Sequence, residues 1–275
     1  MSKGIKKLRV VFIGAGGLAW SVGSALSNAG VSVCQIISPS SSSGQQLASK
    51  LQCPYESAII HIDQKADIYF IAVPDSVIPR VAEELALYLP QRATIIHSSG
   101  SVSLSVLKKY DNAAVFYPFQ TLTRGRVVDL SVVPIFVEAT NKQTLKLISS
   151  VASAVTNQVY SITSEQRLMI HLAGVIGNNF TNFLIGQSAD ILSRQGFSME
   201  ILKPLIVETV NKAFELSPEK AQTGPAVRND IAILEKHQEI LQSLPPLQRL
   251  YALFSELIAL KRTEYKLGND TSSYE

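Results

Sequence analysis

Between Leu8 and Ile162 short β-rich runs alternate with helical patterns, and after Ile162 no β-rich run occurs. That change of pattern constrains the fold more than any other feature. The run Leu8–Gly14 (LRVVFIG) is apolar apart from Arg9 and ends in glycine, as a strand buried on both faces does. Val31–Ile37, Asp67–Val73, Ala93–Ser99, Ala113–Tyr117, Val133–Ala139 and Asn157–Ile162 read as further strands. Helical patterns cover Gly17–Ala29, Gln45–Leu51, the stretch from Ser76 to Leu89, and Gln143–Val155. Strands alternating with helices pair in parallel through right-handed crossovers, so the fold class is α/β with an N-terminal doubly wound parallel sheet. The second half is all-helical. Thr163 with Gln166 forms a capping box, opening a helical pattern that reaches Gly196; Ser198–Leu216, Ala226–Gln242 and Leu247–Lys266 follow. The boundary falls near residue 162, giving a sheet domain (1–162) and a helical domain (163–275).

Composition narrows the function classes. The 275 residues are 46% hydrophobic and 17% charged, which excludes disorder, collagen and coiled coil as descriptions of the whole. The net charge of +3 is spread along the chain, so no nucleic-acid partner is expected. Cys34 and Cys53 are too few for a disulfide framework or a zinc site, and no metal is expected. The most apolar stretch, Leu168–Leu184, is bordered or interrupted by Arg167, His171, Asn178, Asn179 and Asn182. No membrane span and no leader segment are expected, and the localisation read from the sequence is cytoplasmic.

Gly14-Ala15-Gly16-Gly17-Leu18-Ala19 matches G-x-G-x-x-A between the first strand and the first helix. Gly14 permits the tight turn, Gly16 lets backbone approach a pyrophosphate, and Ala19 allows close helix–strand packing. The helix N-terminus then offers free N–H groups to the anion. The end of the second strand selects between dinucleotides, and an acid there would favour NAD. Here Ile37 is followed by Ser38, Pro39 and Ser40–Ser43, with no acid. Ser38 and Ser40 read either as hydroxyls for the 2′-phosphate of NADP or as a helix cap; the cofactor expected is NADP, with NAD second. Val73 and Pro74, and Ser99 and Gly100, close two further strands at the edge where such ligands bind. His97 reads either as a site group or as a strand-end histidine held by backbone.

His171, Asn178 and Asn182 fall on one stripe of an ideal helix beside Gly174, opposite Leu172, Ile176, Phe180, Phe183 and Leu184. Such a stripe meets a polar ligand or an internal network. Farther on, Thr223 and the Gly224-Pro225 turn lead into Arg228, whose planar fork suits a carboxylate or phosphate. Asp230 and His237 are spaced to share a face.

GAGGLA, AVPDSVI, HSSGSVSLSVL and YPFQTLT, with HLAGVIGNNF and TGPAVRND, together resemble the predicted NADP oxidoreductases. In that family a Rossmann-like domain is joined to a C-terminal helical domain of unknown function, number 2520. The resemblance covers nearly the whole chain, and more distantly the chain is similar to the pyrroline-carboxylate reductase and hydroxyisobutyrate dehydrogenase groups. It implies a homodimer formed through the helical domain. Two positions depart from these groups: Gly174 stands where hydroxyacid dehydrogenases place lysine ahead of Asn178, and Pro39 where NADP enzymes place arginine.

These readings converge on an NADP-dependent oxidoreductase acting on a small carbonyl or imine substrate in a cleft between the domains. His171 is the expected proton donor or acceptor, Asn178 the orienting group and Arg228 the anion-binding group. The alternative is a dinucleotide-binding regulatory or scaffold protein without chemistry.

Overall fold

The computed structural model describes Ile5, residues 8–126 and residues 128–271, the last of these, from 262 on, as backbone alone. Strand β1 (Arg9–Ile13) leads to helix α1 (Gly17–Asn28), then β2 (Ser32–Ile37), α2 (Ser41–Leu51), β3 (Tyr55–Glu56), β4 (Ile68–Ile71) and α3 (Ile78–Leu85). There follow β5 (Thr94–His97), β6 (Asn112–Pro118), β7 (Ile135–Ala139), α4 (Lys142–Ser153), β8 (Val159–Ser161) and α5 (Ser164–Gly174). The strands form one eight-stranded sheet in the order β3-β2-β1-β4-β5-β6-β7-β8.

Residue alternation explains why the sheet is covered twice. Val10 and Phe12 of β1 join one core with Phe70 and Phe116, and Ile148 and Val151 of α4 close it. Phe12 stacks on Phe70 with ring centroids 4.9 Å apart, and Phe70 meets Phe116 edge-on at 5.5 Å. Val11 and Ile13 point the other way, into a second core with Tyr69 and Ile71, closed by Ile78, Val81 and Leu85 of α3. Burial on both faces is what makes these strands read as unbroken apolar runs.

The expectation of parallel pairing holds from β3 to β6 and between β7 and β8. It fails at β6 and β7, which pair antiparallel. A parallel return needs a crossover, usually a helix, and among its described residues the segment between them carries only the short 3₁₀ turn Leu130–Val132. The strand therefore enters the sheet reversed. The two-residue β3 was also not anticipated.

Compactness divides the chain into two units, Met1–Gly177 and Asn178–Glu275. Helix α5 thus packs with the sheet, although its sequence pattern runs on into the helical half. Its capping box is formed: the Thr163 hydroxyl accepts from the Gln166 N–H, and the Gln166 side chain accepts from the Thr163 N–H. After α5 the helix widens to π over Val175–Phe180 and resumes as α6 (Thr181–Ser193). The whole Ser164–Ser193 helix is long and apolar enough to cross a membrane by length and composition, a longer apolar helix than the interrupted stretch seen in the sequence.

The second unit continues with α7 (Lys203–Leu216), α8 (Pro218–Ala221), α9 (Pro225–Arg228), α10 (Ile231–Ile240) and α11 (Pro245–Thr271). The helix expected over Ala226–Gln242 is split, because Asn229 adopts a left-handed conformation (φ 57°) and Asp230 caps α10 through its contact with the Ile233 N–H. Among the described residues of this unit, Ala226 and Leu241 are the buried apolar side chains. Phe183, Leu205, Phe214, Ile240 and Leu257 all stand open.

Candidate active site

Strand β1 lies between β2 and β4, so the chain leaves it to one side and later returns on the other. A crevice opens at the carboxyl ends of strands at such a reversal. The loop after β1 is built for close approach. Gly14 has φ 111°, and a Cβ there would overlap the carbonyl oxygen of Ala72 at the end of β4. Its N–H donates to the Ile37 carbonyl at 2.7 Å, and the Ala72 N–H donates to Ile13 at 2.7 Å, so three strand ends are tied together. Gly17 is held from the other side, where a Cβ would overlap the Leu122 carbonyl. At Gly16 no atom beyond the adjoining residues lies within 4 Å of where a Cβ would stand, so this residue faces open space. Ala19 is fully buried against the sheet, while Ala15 and Leu18 join the core around Phe12. No side chain caps the N-terminus of α1, and no acid lies in its first turn.

At the end of β2, Ser40 is exposed at the head of α2, whose N-terminus also lacks a side-chain cap and an acid. Ser38 is buried, its N–H donating to the Glu56 carbonyl and its own carbonyl accepting from the Tyr55 hydroxyl. The pairing of Ile37 with Glu56 brings an acidic residue to this strand end from β3, which sequence spacing did not reveal.

The loop after β5 is stapled by its own serine. The Ser99 hydroxyl donates to Asp75 Oδ2 at 2.7 Å and accepts from the N–H groups of Ser101 (3.1 Å) and Val102 (2.9 Å). Ser101 donates to the same carboxylate oxygen at 2.6 Å. Asp75 follows Val73 and Pro74 at the end of β4, so the carboxylate couples two neighbouring strand ends. His97 has no exposed surface, and its Nδ1 accepts from the Ser99 N–H at 3.2 Å. That is the strand-end histidine held by backbone. Burial, with the Arg167 charge, brings its imidazole down to about 3, so it is neutral.

Gly100 is the hinge of the arrangement. A Cβ there would come within 2.6 Å of His171 Nδ1 and 2.8 Å of Tyr117 Cζ. In the space left free, the Tyr117 hydroxyl and His171 Nδ1 lie 3.1 Å apart, in hydrogen-bond contact, with the two rings edge to face. Burial pushes the Tyr117 phenol up, while the Arg167 charge draws it down and Asp75 pushes it up. Phe119 packs on α5 where Gly174 has no side chain. Tyr117 lies in the YPFQTLT motif, but sequence spacing did not single it out as the partner of His171.

The remaining expected site groups make other contacts. The π turn winds more openly than an α-helix, so Asn178 and Asn182 leave the straight stripe drawn through His171. Both are exposed, and Asn178 donates to the neighbouring Asn179 side chain at 2.9 Å. Arg228 is exposed on α9. Asp230 and His237 do not pair: Asp230 caps α10, and His237 Nδ1 meets the Tyr251 hydroxyl at 2.8 Å. Among the described residues no cluster of potential metal ligands occurs, and Cys34 and Cys53 are free thiols.

Residues 2–116 match the model of a Rossmann-like domain, and residues 133–258 match a domain of unknown function, number 2520. No curated protein sequence matches the chain. Among solved structures, the Bacteroides fragilis protein BF3122, assigned as an NADP oxidoreductase, is 33% identical, with 93% of this chain and 99% of that one covered and a TM-score of 0.89. The Thermotoga maritima protein TM1727 shares the fold at 21% identity (94% and 99% covered, TM-score 0.69). A pyrroline-5-carboxylate reductase from Coxiella burnetii does so at 18% identity (93% and 97% covered, TM-score 0.53). The chain belongs to the family of the Bacteroides fragilis protein, in which a Rossmann-like oxidoreductase domain is joined to the helical domain 2520.

Proposed function

We propose that the chain is an NADP-dependent oxidoreductase that reduces or oxidises a small carbonyl or imine compound. The observation that carries this reading is the glycine loop at the strand reversal. Gly14 is locked against Ala72, Gly16 is left open, and an uncapped, acid-free helix N-terminus lies behind them. A dinucleotide bound there would supply the hydride acceptor or donor. The backbone from Gly14 to Ala19 would hold its pyrophosphate, and Val73, Pro74 and Gly100 line the neighbouring strand ends. Ser40 at the head of α2 would meet a 2′-phosphate; Ser38, being buried, would act through its position in the turn. Tyr117 and His171 share a hydrogen bond through which a proton can pass, so His171 is the proton donor or acceptor, reaching substrate directly or through the phenol. Asn178 and Arg228, both exposed, are proposed to orient the substrate and to bind an anionic group on it.

Glu56 favours a second reading, in which the acid beside Ile37 selects NAD. Titration with NADP and with NAD, followed by fluorescence of Trp20, separates the two, since Trp20 is the sole tryptophan and sits in the first turns of α1. Saturation at much lower NADP than NAD is the expected result. Saturation by NAD first would transfer the role to Glu56, and no saturable change with either would remove the oxidoreductase reading.

The helical unit is proposed to form a homodimer. Helices that, among the described residues, bury only the apolar side chains Ala226 and Leu241 leave their apolar faces in water, and a second copy offers the matching surface. The apolar Ser164–Ser193 helix is proposed to pack against protein rather than to enter a bilayer, because Arg167 on its first turn is engaged with the sheet. Light scattering in detergent-free buffer should give the mass of two chains.

A further inference from the structure

Arg167 is 1% exposed, on the face of α5 that meets the sheet. Its Nη1 donates to the carbonyl oxygens of Ser99 (2.7 Å) and Val102 (2.8 Å), so one nitrogen closes both ends of the loop after β5. Its Nη2 donates to Glu138 Oε2 at 3.0 Å and to Ser164 Oγ at 3.1 Å. The Ser164 hydroxyl also lies 2.8 Å from both Glu138 oxygens, and Glu138 belongs to β7. Asp75 holds the opposite flank of the same loop through Ser99 and Ser101. Gly100 lies between these two clamps, with the His171 and Tyr117 rings filling the space over it.

We propose that Arg167, anchored by Glu138, is a positioning residue for the Tyr117–His171 pair: it fixes the Ser99–Val102 loop against α5, so that the imidazole seats on Gly100 within reach of the phenol. The inference rests on reading that pair as the proton-handling group of the site. A buried ion pair contributes little net stability compared with apolar packing, so stability alone is a weak reason for placing a charge here. The planar fork is what the geometry uses. A lysine ammonium cannot span two loop carbonyls, a carboxylate and a hydroxyl at once. The clamps are also charges of opposite sign. Facing Tyr117 are Arg167 and His171 from α5 and Asp75 from the loop after β4; Arg167 draws the phenol down and Asp75 pushes it up.

The test uses the full chain with 3-fluorotyrosine incorporated at position 117, followed by ¹⁹F NMR across pH. Three variants are compared with the parent: Asp75→Asn, Arg167→Lys, and Arg167→Met combined with Glu138→Gln, which removes both charges together. The phenol titration should move down in Asp75→Asn and up in the double variant. The neutral-pH ¹⁹F shift should change in both arginine variants as the contact with His171 loosens. An unchanged shift and titration in the folded double variant, with only a lower melting temperature, would reduce Arg167 to a structural ion pair and overturn the proposal. Should the double variant fail to fold, Arg167→Lys decides by the same reading, and an unchanged ¹⁹F shift there overturns it equally. Dinucleotide binding, followed by Trp20 in the same parent sample, is scored separately. Its absence sinks the oxidoreductase reading while the titration still decides the role of Arg167.

Discussion

A histidine without exposed surface is held neutral, and His97, beside the Arg167 charge, comes down from 6.5 to about 3. Between these two values the unfolded chain takes up a proton that the folded chain refuses. The contribution of His97 is therefore fully present above pH 6.5 and is lost as pH falls toward 3, by up to about 1.4 kcal/mol per pH unit. Urea unfolding from pH 7 to pH 4 should show His97→Gln losing less stability with acid than the parent; parallel curves would refute this. The glycines of the first loop make a second residue-scale prediction. Gly16→Val places its side chain in open space, so it should melt with the parent yet bind dinucleotide at least about tenfold more weakly, as calorimetry would measure. Gly14→Ala meets the Ala72 backbone at a positive φ and should destabilise the fold itself.

Helix α5 and the strand ends are brought together by missing side chains. Gly174→Ala would set a methyl 2.6 Å from the Phe119 ring, and Gly100→Ala would displace His171 or Tyr117. Each should cost about 1–3 kcal/mol by overpacking, measured by chemical unfolding. How much of this was legible depends on how far apart the partners lie in the chain. The glycine loop, the strand alternation and the Thr163–Gln166 cap are local patterns, and the fold class follows from them. The direction of β7 was not legible, since an apolar run reads alike both ways and only the missing crossover helix sets its sense. The π turn was hidden because the apolar spacing through Val175–Phe180 fits an ordinary helix. At the site, Tyr117 and His171 are 54 residues apart, and Arg167 and Glu138 are 29 apart. No spacing rule joins such pairs. The motifs marked both loops as interesting without saying that they touch.

Taken whole, the chain is unevenly provided with interior. The sheet unit has two cores, whereas the described part of the helical unit has scarcely one. Phe214 is 89% exposed, so Phe214→Glu, by placing charge in a self-complementary face, should halve the mass seen by light scattering. The sparse interior also makes stability depend on quantity. If the apolar faces are covered only by another chain, folding of the helices and encounter with that chain become one reaction governed by mass action. Heating should then give two separate transitions: an early one that climbs with the logarithm of protein concentration, and a later one, from the sheet, that ignores it. A cell making this protein would set the durability of its helical half by how much of it is made.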